Sequence, residues 1–519
     1  MDAITEHERA PDAVLDGGHL DCGGGLLLLI RRAIDPLPAG GLLEIRSTEP
    51  SVEVELPAWS RMTGNELVSW TRSGEQRSYL VSKGASPNRA VEPAPAPAQR
   101  PTQRAAMPMS IPSSPPSPVP ASAIRPLSVM GIGSWPRPSW MIRAIHDHLE
   151  RRLTDREFDE AANDAVRLSA QAQIRAGVDI LTDGEQRRDN YVSFVGGLLE
   201  NCQLIPLTDL AAMVDESEDF ERELAALDVP ASSVRHPVVY GRLERSAPLA
   251  VHELQFAQQI ADDRPIKVAL PGPYLLTRTM WLDCLRENPY TSREELSRDV
   301  VRVLREEVLH LLDVGTAIVQ FDEPVLTEVV HGASRARRSF MCGALSERHD
   351  TATELGFARE LLDGVMRGLP QERLALHVCR GNWTMDESAA LSGDYSPLVD
   401  LLSGVQAGTL FLELGTERAG EIDVLASLPG DKRIGVGVVN PKLPSVEAPE
   451  VLNARIGRAI DVFGAERVLL TPDCGFATFA DNPVSSAAIA ETKLRAIVEA
   501  RDRIAPDGFR AGSDFRAAR

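Results

Sequence analysis

The larger, C-terminal part of the chain repeats one hydrophobic pattern. A short apolar run ends in polar residues or glycine, and a longer stretch follows in which apolar positions recur every three or four residues. The short runs have the continuous apolar character of strands buried on both faces, and the longer stretches have the period of amphipathic helices. Eight such runs begin near residues 128, 178, 266, 317, 374, 409, 435 and 467.

Eight strand–helix units in succession predict an α/β protein built on a parallel (β/α)₈ TIM barrel. Residues 196–263 interrupt the repeat between the second and third strands. This insertion contains HPVVYGRLERSAPL and a following helix and predicts a hairpin over the barrel mouth, since insertions of this length usually have a binding or lid role. The helical period is clearest over residues 157–176, 293–312, 352–367, 448–463 and 485–500.

The first 85 residues alternate shorter elements. Such alternation in a short segment predicts a small two-layer α/β domain ahead of the barrel. The pattern predicts helices over residues 26–34 and 51–62 and strands over 42–47, 65–71 and 77–82.

A proline-rich stretch separates the two parts. Proline recurs at nearly every third position, and large apolar side chains are almost absent, so the stretch cannot form a core and predicts an extended tether. The expected organisation is a small domain over 1–85, a disordered linker over 86–125, a barrel over 126–508 and a flexible tail over 509–519.

Composition and charge limit the kinds of molecule that we expect the protein to bind. Apolar residues make up 43% of the chain, enough for a large core, and the formal net charge is −20. Acidic residues spread along the chain repel phosphate backbones and anionic lipids, so we expect neither nucleic-acid nor membrane binding. The six cysteines lack disulfide-like spacing and no apolar run could span a bilayer, which predicts a cytoplasmic protein.

Chemically reactive side chains follow nearly every predicted strand. The active site of a (β/α)₈ barrel lies at the C-terminal ends of its strands, so we expect these side chains to meet at one face. They are Ser134, Asp183, Glu185, Asp322, Glu323, His377, Cys379, Glu413, Asn440, Asp473 and Cys474.

Four of these residues form a candidate metal set: His377, Cys379, Glu413 and Cys474. Alternation places residues i and i+2 on the same side of a strand end, as for His377 and Cys379. Two thiolates, an imidazole and a carboxylate suit tetrahedral Zn²⁺. Each cysteine taken singly is also compatible with a buried structural residue, and only convergence on one face favours the metal.

The segments LHVCRGNW, FLEL and TPDCGFAT resemble the zinc-ligand segments of cobalamin-independent methionine synthases. GIGSWPRP, DGEQRRDNYVSF, PGPYLL and FDEPVL are similar to other site loops of that family, in the same order, and the resemblance extends over residues 126–504. It implies a zinc-dependent methyltransferase of methionine biosynthesis, with His377, Cys379, Glu413 and Cys474 as ligands. It also implies that Ser134, Glu185 and Asp322 bind the thiol substrate, which in this family is homocysteine.

Two departures from the family leave the methyl donor open. Long members carry a second, N-terminal barrel that helps to bind folate, whereas the resemblance here covers one barrel. Long members also place a histidine after the seventh strand to protonate the donor, but this chain has GVVNPKLPS there, and Lys442 stands at roughly that position. The donor is therefore methyltetrahydrofolate or a methyl-corrinoid protein, and Lys442 is a candidate catalytic acid.

The N-terminal segment LDGGHLDCGGGLLLLIRRAIDPLPAGGLLEI resembles the start of TusA/SirA-like sulfur carriers over residues 12–84. The resemblance places Cys22 at the persulfide-carrying cysteine, although the Cys-Pro-x-Pro motif is replaced by a cysteine and three glycines. A thiol at a helix N-terminus has a lowered pKa, which favours the thiolate. Cys22 is therefore either a catalytic sulfur carrier or part of a domain with a docking or structural role.

Three functions remain open on these observations. The first is zinc-dependent methylation of a small-molecule thiol, with homocysteine as the expected substrate. In the second, Cys22 accepts sulfur from a persulfide donor and delivers it to the barrel, because a tether raises the effective concentration of one site at another. The third is a zinc-stabilised sensor of a thiol metabolite, which an open metal position at a barrel mouth disfavours.

Overall fold

The computed structural model describes residues 7–20, 26–74, 76–85, 124–149, 152–206, 235–281, 289–332 and 349–505. We call residues 7–85 the small unit and residues 124–505 the large unit. Cys22 and nearly all of the proline-rich stretch lie outside the described residues, so their assigned roles stay predictions.

The small unit is a four-stranded sheet with two helices. Strand β1 is parallel to β2, the other pairs are antiparallel, and the strand order is β1-β2-β4-β3. All the elements predicted here are present, whereas β1 was not predicted because it is short and has only half-buried apolar positions. The elements are β1 (Ala13–Asp16), α1 (Leu27–Ile34), β2 (Leu42–Ser47), α2 (Val52–Met62), β3 (Glu66–Ser73) and β4 (Gln76–Ser82).

The large unit contains a six-stranded parallel sheet whose strands neighbour one another in chain order. This confirms the predicted α/β class with a parallel sheet. The first two predicted strands are present as short bridged segments: Val129 pairs with Leu470, Met130 with Ile180, and Leu181 with Ile266. The regular strands are β7 (Lys267–Pro271), β8 (Ile318–Asp322), β9 (Leu374–Val378), β10 (Thr409–Leu412), β11 (Arg433–Val439) and β12 (Val468–Pro472).

Helices alternate with these strands, as the hydrophobic period predicts. The Thr154 hydroxyl and the Glu157 side chain form a capping box at the start of α4, and Gly177 ends that helix with a φ of 84°. The helices are α3 (Ser139–Leu149), α4 (Asp155–Ala176), α5 (Val251–Ile260), α6 (Pro273–Met280), α7 (Arg293–Val314), α8 (Val325–His331), α9 (Thr351–Met366), α10 (Val399–Gly404), α11 (Pro449–Phe463) and α12 (Ala487–Ile504).

The insertion after the second bridged segment forms the predicted hairpin. Strands β5 (Glu200–Pro206) and β6 (Arg235–Glu244) pair antiparallel, and α5 follows them. One apolar cluster contains hairpin residues Ile205 and Val238 together with side chains of the small unit. The hairpin therefore connects the two units. Within the described ranges, no helix is both long enough and apolar enough to cross a membrane.

Candidate metal centre

Three of the four predicted metal ligands meet at the ends of two strands. His377 lies in β9, Cys379 follows that strand, and Cys474 lies two residues beyond β12. One potential ligand atom from each residue lies within 4.8 Å of the other two, and all three residues are buried. The two sulfur atoms are 3.8 Å apart. A His/Cys/Cys set of this kind suits a zinc ion.

The His377 ring is oriented as a metal ligand requires. Sheet register pairs Asp322 with His377, and Nδ1 donates a hydrogen bond of 2.8 Å to the Asp322 carboxylate. The other ring nitrogen, Nε2, is buried and has no hydrogen-bond partner among the described residues. Ligating histidines usually bind a carboxylate or carbonyl through the second nitrogen, so Nε2 fits a metal-binding role.

The two neighbouring thiols lose one proton between them more readily than they lose two. Contact with Cys474 lowers the pKa of Cys379 to about 5, with burial opposing this shift and His377 assisting it. The same contact raises the pKa of Cys474 well above its usual range. A cation between the sulfur atoms would favour the thiolate form of both residues.

Glu413, the fourth predicted ligand, lies at the end of β10 but outside the group of three. Its Oε1 accepts a hydrogen bond of 2.8 Å from Arg418 Nε. Its Oε2 accepts from the backbone N–H of Arg380 and from the Asn382 side chain, both at 2.8 Å. The carboxylate is thus fully engaged by the loops after β9 and β10, although it remains next to the cysteines.

The three residues line one cleft that opens to solvent. All three predicted substrate-binding residues line it, together with residues of the predicted metal set. The lining residues are Ile132, Ser134, Glu185, Tyr191, Asp322, Pro324, His377, Cys379, Gly381, Asn382, Trp383, Cys474, Gly475 and Thr478.

Glu185 presents a buried, unsatisfied carboxylate to this cleft. Its Oε2 has no hydrogen-bond partner among the described residues, and the residue is 3% exposed. Burial raises the pKa of Glu185 to about 7, with Arg188 opposing the shift and Asp322 adding to it. The Glu185 backbone has a φ of 54°, a conformation that non-glycine residues adopt at a cost and that recurs at binding sites.

Glycines allow the loops to approach one another around these side chains. A Cβ added to Gly133 would lie 2.1 Å from Glu185 Oε1, and one added to Gly475 would lie 2.1 Å from Ser134 Oγ. A side chain at either position would displace the Glu185 carboxylate or the Ser134 hydroxyl from its place in the cleft. Ser134 Oγ also accepts a hydrogen bond of 3.3 Å from the backbone N–H of Ala477, which connects the first strand end to the loop that carries Cys474.

Buried basic residues that the sequence did not single out support the site. Arg137 donates to the backbone carbonyl of Glu185 at 2.7 Å and to that of Ala477 at 3.0 Å. Arg188 forms a buried ion pair with Glu253 and donates to the carbonyl of Ala269. Their position within the site motifs GIGSWPRP and DGEQRRDNYVSF was the signal that could have identified them.

A series of side-chain hydrogen bonds connects His377 to polar residues of the neighbouring strands β8 and β7. Lys267 Nζ, in β7, donates to Gln320 Oε1 at 2.5 Å, and Gln320 Nε2 donates to the Asp322 oxygen that accepts from His377. Burial lowers the pKa of Lys267 to about 7, although Asp322 and Glu185 oppose the shift. No motif marked Lys267 or Gln320, because each lies inside a continuous buried strand.

Lys442, the candidate acid, is buried near the metal set but does not line the cleft. Its Nζ donates to the carbonyl of Asp386 at 2.8 Å. Burial lowers the pKa of Lys442, and the nearby Arg418 lowers it further. The structure also brings Tyr191, Asn382 and Thr478 to the cleft, which sequence reasoning did not name.

Comparison with known proteins finds relatives of the large unit. The family model for the catalytic domain of cobalamin-independent synthase matches residues 127–501. A methionine synthase of Saccharolobus solfataricus is 24% identical over 71% of this chain and 92% of its own length. A methionine synthase of Sulfurisphaera tokodaii is 26% identical over 66% of this chain and 84% of its own length.

Two solved structures share the fold. A B12-independent methionine synthase of Shewanella sp. W3-18-1, in complex with selenomethionine, has a TM-score of 0.55 at 21% identity and covers 74% of this chain and 98% of its own. A putative B12-independent methionine synthase of Listeria monocytogenes has a TM-score of 0.53 at 18% identity, covering 74% and 99%. Because the family model spans well over half of the sequence, this chain belongs to the cobalamin-independent methionine synthase catalytic-domain family.

Proposed function

We propose that this protein transfers a methyl group to the thiol of a small amino acid, homocysteine in the first instance, at a zinc site held by His377, Cys379 and Cys474. The observation that carries the proposal is one cleft with two unsatisfied groups: His377 Nε2 beside two thiols, and Glu185 Oε2. The relatives from Saccharolobus solfataricus and Sulfurisphaera tokodaii are methionine synthases. The structural neighbour from Shewanella was solved with selenomethionine, an analogue of the product.

The three residues would hold the metal, and Glu413 is the proposed fourth ligand. A bound zinc ion lowers the pKa of a coordinated thiol and so favours the nucleophilic thiolate near neutral pH. Arg418, Asn382 and the backbone of Arg380 hold the Glu413 carboxylate by hydrogen bonds. Glu413 would therefore exchange one of these contacts when it joins the metal.

Glu185 and Asp322 are the proposed partners of the substrate ammonium group. Both line the cleft, and both carboxylates are largely removed from water. An ammonium ion next to Glu185 would compensate the burial that raises its pKa and would supply the missing partner of Oε2. Ser134, on the same wall, is a further proposed contact to the polar end of the substrate.

We infer that the six-stranded sheet and the two bridged segments close into the eight-stranded barrel that the sequence predicts. In that arrangement the methyl donor, methyltetrahydrofolate or a methyl-corrinoid protein, approaches the cleft from the loop side. Lys442 is the proposed acid that protonates the demethylated donor. Burial lowers the pKa of Lys442, so this side chain would release a proton more readily than an exposed lysine.

A second candidate function is sulfur transfer, in which Cys22 of the TusA-like region receives sulfur from a persulfide donor and delivers it to the cleft. The packing of the small unit against the β5–β6 hairpin favours this alternative, because it holds the small unit next to the large one.

Metal analysis of the full-length protein tests the first proposal. We expect about one zinc ion per chain and loss of most of it in Cys474→Ala, whereas Cys202→Ala should retain it. Cys202 is a matched control because it is also a buried free cysteine, but lies in the hairpin. Zinc X-ray absorption should then show an additional sulfur neighbour after homocysteine is added. Unchanged zinc in Cys474→Ala, or an unchanged spectrum, would contradict the proposal.

A further inference from the structure

The small unit and the large unit share one hydrophobic cluster. Four buried residues of the large unit belong to it: Ile205, Val238, Trp383 and Phe479, which are 1%, 1%, 7% and 9% exposed. They join the side chains of α1, α2 and the four-stranded sheet in the same cluster. The two units are therefore packed together without an intervening layer of polar side chains at this point.

Polar contacts accompany the apolar ones along α1. The Arg32 guanidinium lies over the Tyr240 ring at 4.2 Å, and Gln203 Nε2 donates to Asp35 Oδ2 at 3.4 Å. Tyr240 and Gln203 lie on the two strands of the hairpin, and α1 contacts β5 directly. Ala33 is next to Arg32 in sequence, is partly buried and packs on the shared cluster.

Two of the four large-unit residues come from the loops that carry the metal-binding cysteines. Trp383 is four residues after Cys379, and Phe479 is five residues after Cys474. Trp383 also lines the thiol cleft, and the ring of cleft residue Tyr191 meets Phe479 edge-on at a centroid distance of 6.4 Å.

The same two loops are hydrogen-bonded to each other and to the rest of the mouth. Asn482 donates to the carbonyl of Trp383 at 3.3 Å, and the backbone N–H of Ala480 donates to the carbonyl of Asp189 at 2.8 Å. The N–H of Leu391, a residue that packs on the shared cluster, donates to the carbonyl of Arg380 at 3.0 Å. These bonds join the two cysteine loops to each other and to the mouth, and the shared cluster brings Trp383, Phe479 and Leu391 together with side chains of the small unit.

We infer that docking of the small unit against the hairpin and Trp383 holds the two cysteine loops in place, so that docking and order of the thiol cleft are coupled. Separation of the units would expose Trp383 and Phe479 to water and remove the outer support of both loops. Coupling of this kind is reciprocal: an occupied, ordered cleft would in turn favour docking. The inference concerns the support of the site, and it holds whichever thiol or donor the cleft takes.

Hydrogen exchange on the full-length protein tests this coupling. Ala33→Glu places a charge at a position of α1 that packs on the shared cluster, and we expect hydrogen exchange to be about fivefold faster or more in the hairpin and around Leu391 and Ala480. Exchange in the sheet strands β2 and β4 of the small unit should not change. Arg72→Gln is the matched control, because it alters the charge of the same unit equally at an exposed residue of β3.

Tyr240→Ala provides a second variant that leaves the small unit untouched and removes the ring under Arg32. It should accelerate exchange in the same cysteine loops. Faster exchange in the hairpin with unchanged loops would show that docking and the cleft are independent, and would overturn the inference. No change in any segment in either variant would overturn it as well, because the contact would then not hold the units together. Faster exchange in β2 and β4 would mean that Ala33→Glu has unfolded the small unit. In that case exchange of the cysteine loops in Tyr240→Ala alone tests the inference.

Discussion

At the scale of single residues, the site buries polar atoms that have no hydrogen-bond partner in the described part of the chain. This burial destabilises the folded state, but it leaves the atoms available to a ligand. The Glu185 carboxylate is buried, has an unsatisfied oxygen and lies on a backbone with positive φ. An exposed glutamate is ionised and hydrated, whereas burial disfavours the ionised form of Glu185. A cationic ligand next to the carboxylate would offset this free-energy cost. Nε2 of His377 is likewise buried with no hydrogen-bond partner among the described residues, and a metal ion would bind to it.

Glu185→Gln should weaken binding of homocysteine to the zinc-loaded protein by about 30-fold, or roughly 2 kcal/mol, because a buried charge pair with the ammonium is lost. Binding to the unaltered protein should strengthen as the pH rises through about 7, where Glu185 ionises. Titration calorimetry from pH 6 to 8 measures both effects. Glu160→Gln, at an exposed helix position, is the control. Equal affinities for the two variants would exclude Glu185 as the ammonium partner.

The same substitution should affect stability in the opposite direction. Because the folded pKa of Glu185 is raised to about 7 from an ordinary value of 4.5, the folded state binds the proton more tightly than the unfolded state. The unaltered protein therefore loses stability as the pH rises through this window. Relative to it, Glu185→Gln should gain up to about 3 kcal/mol in unfolding free energy between pH 5 and pH 8. Denaturant unfolding at both pH values checks this, and a constant difference would contradict it.

At the scale of secondary structure, parallel register decides which side chains act together. Asp322 of β8 lies beside His377 of β9, and Gln320 points its amide at the same carboxylate. Lys267 of β7 extends this series of hydrogen bonds across a third strand. Substitution of residues that orient a ligating histidine typically lowers metal affinity or activity by about 10-fold to 100-fold.

Gln320→Leu removes the amide that connects Lys267 to Asp322 while it keeps a side chain of similar volume. We expect zinc affinity to fall by about 10-fold to 100-fold, because Asp322 would no longer be held toward His377. Competition with a chromophoric chelator measures the change. Gln258→Leu, at an exposed position of α5, serves as the control. If both variants bind zinc equally well, the series of hydrogen bonds to His377 has no positioning role.

At the scale of the whole molecule, the barrel-like large unit carries the complete cleft, and the small unit packs beside it. All residues that line the cleft belong to the large unit. The small unit contacts this assembly through α1 and the hairpin. Methylation of a thiol would thus use the large unit for its chemistry, whereas sulfur transfer would use both.

Cys22→Ser separates these two uses. If the protein only methylates a thiol, the variant should retain zinc, fold and the full methyl-transfer rate. If Cys22 carries sulfur, the variant should lose a persulfide-dependent reaction entirely while zinc content is unchanged. Mass spectrometry of the unaltered protein after treatment with a persulfide donor should then show one added sulfur on Cys22. Absence of that adduct, with methyl transfer intact, would leave methylation as the function.

Local pattern alone determined the α/β class, most helices and strands, and the positions of the reactive residues at strand ends. It could do so because hydrophobic period and terminal glycines are properties of neighbouring residues in sequence. Only the tertiary structure decided that Glu413 is bound by Arg418 and Asn382, and that Glu185 Oε2 is buried with no hydrogen-bond partner in the described part of the chain. It also brought Trp383 into one apolar cluster with side chains of the small unit. These features depend on sheet register and on packing between distant segments, which no single stretch of sequence encodes.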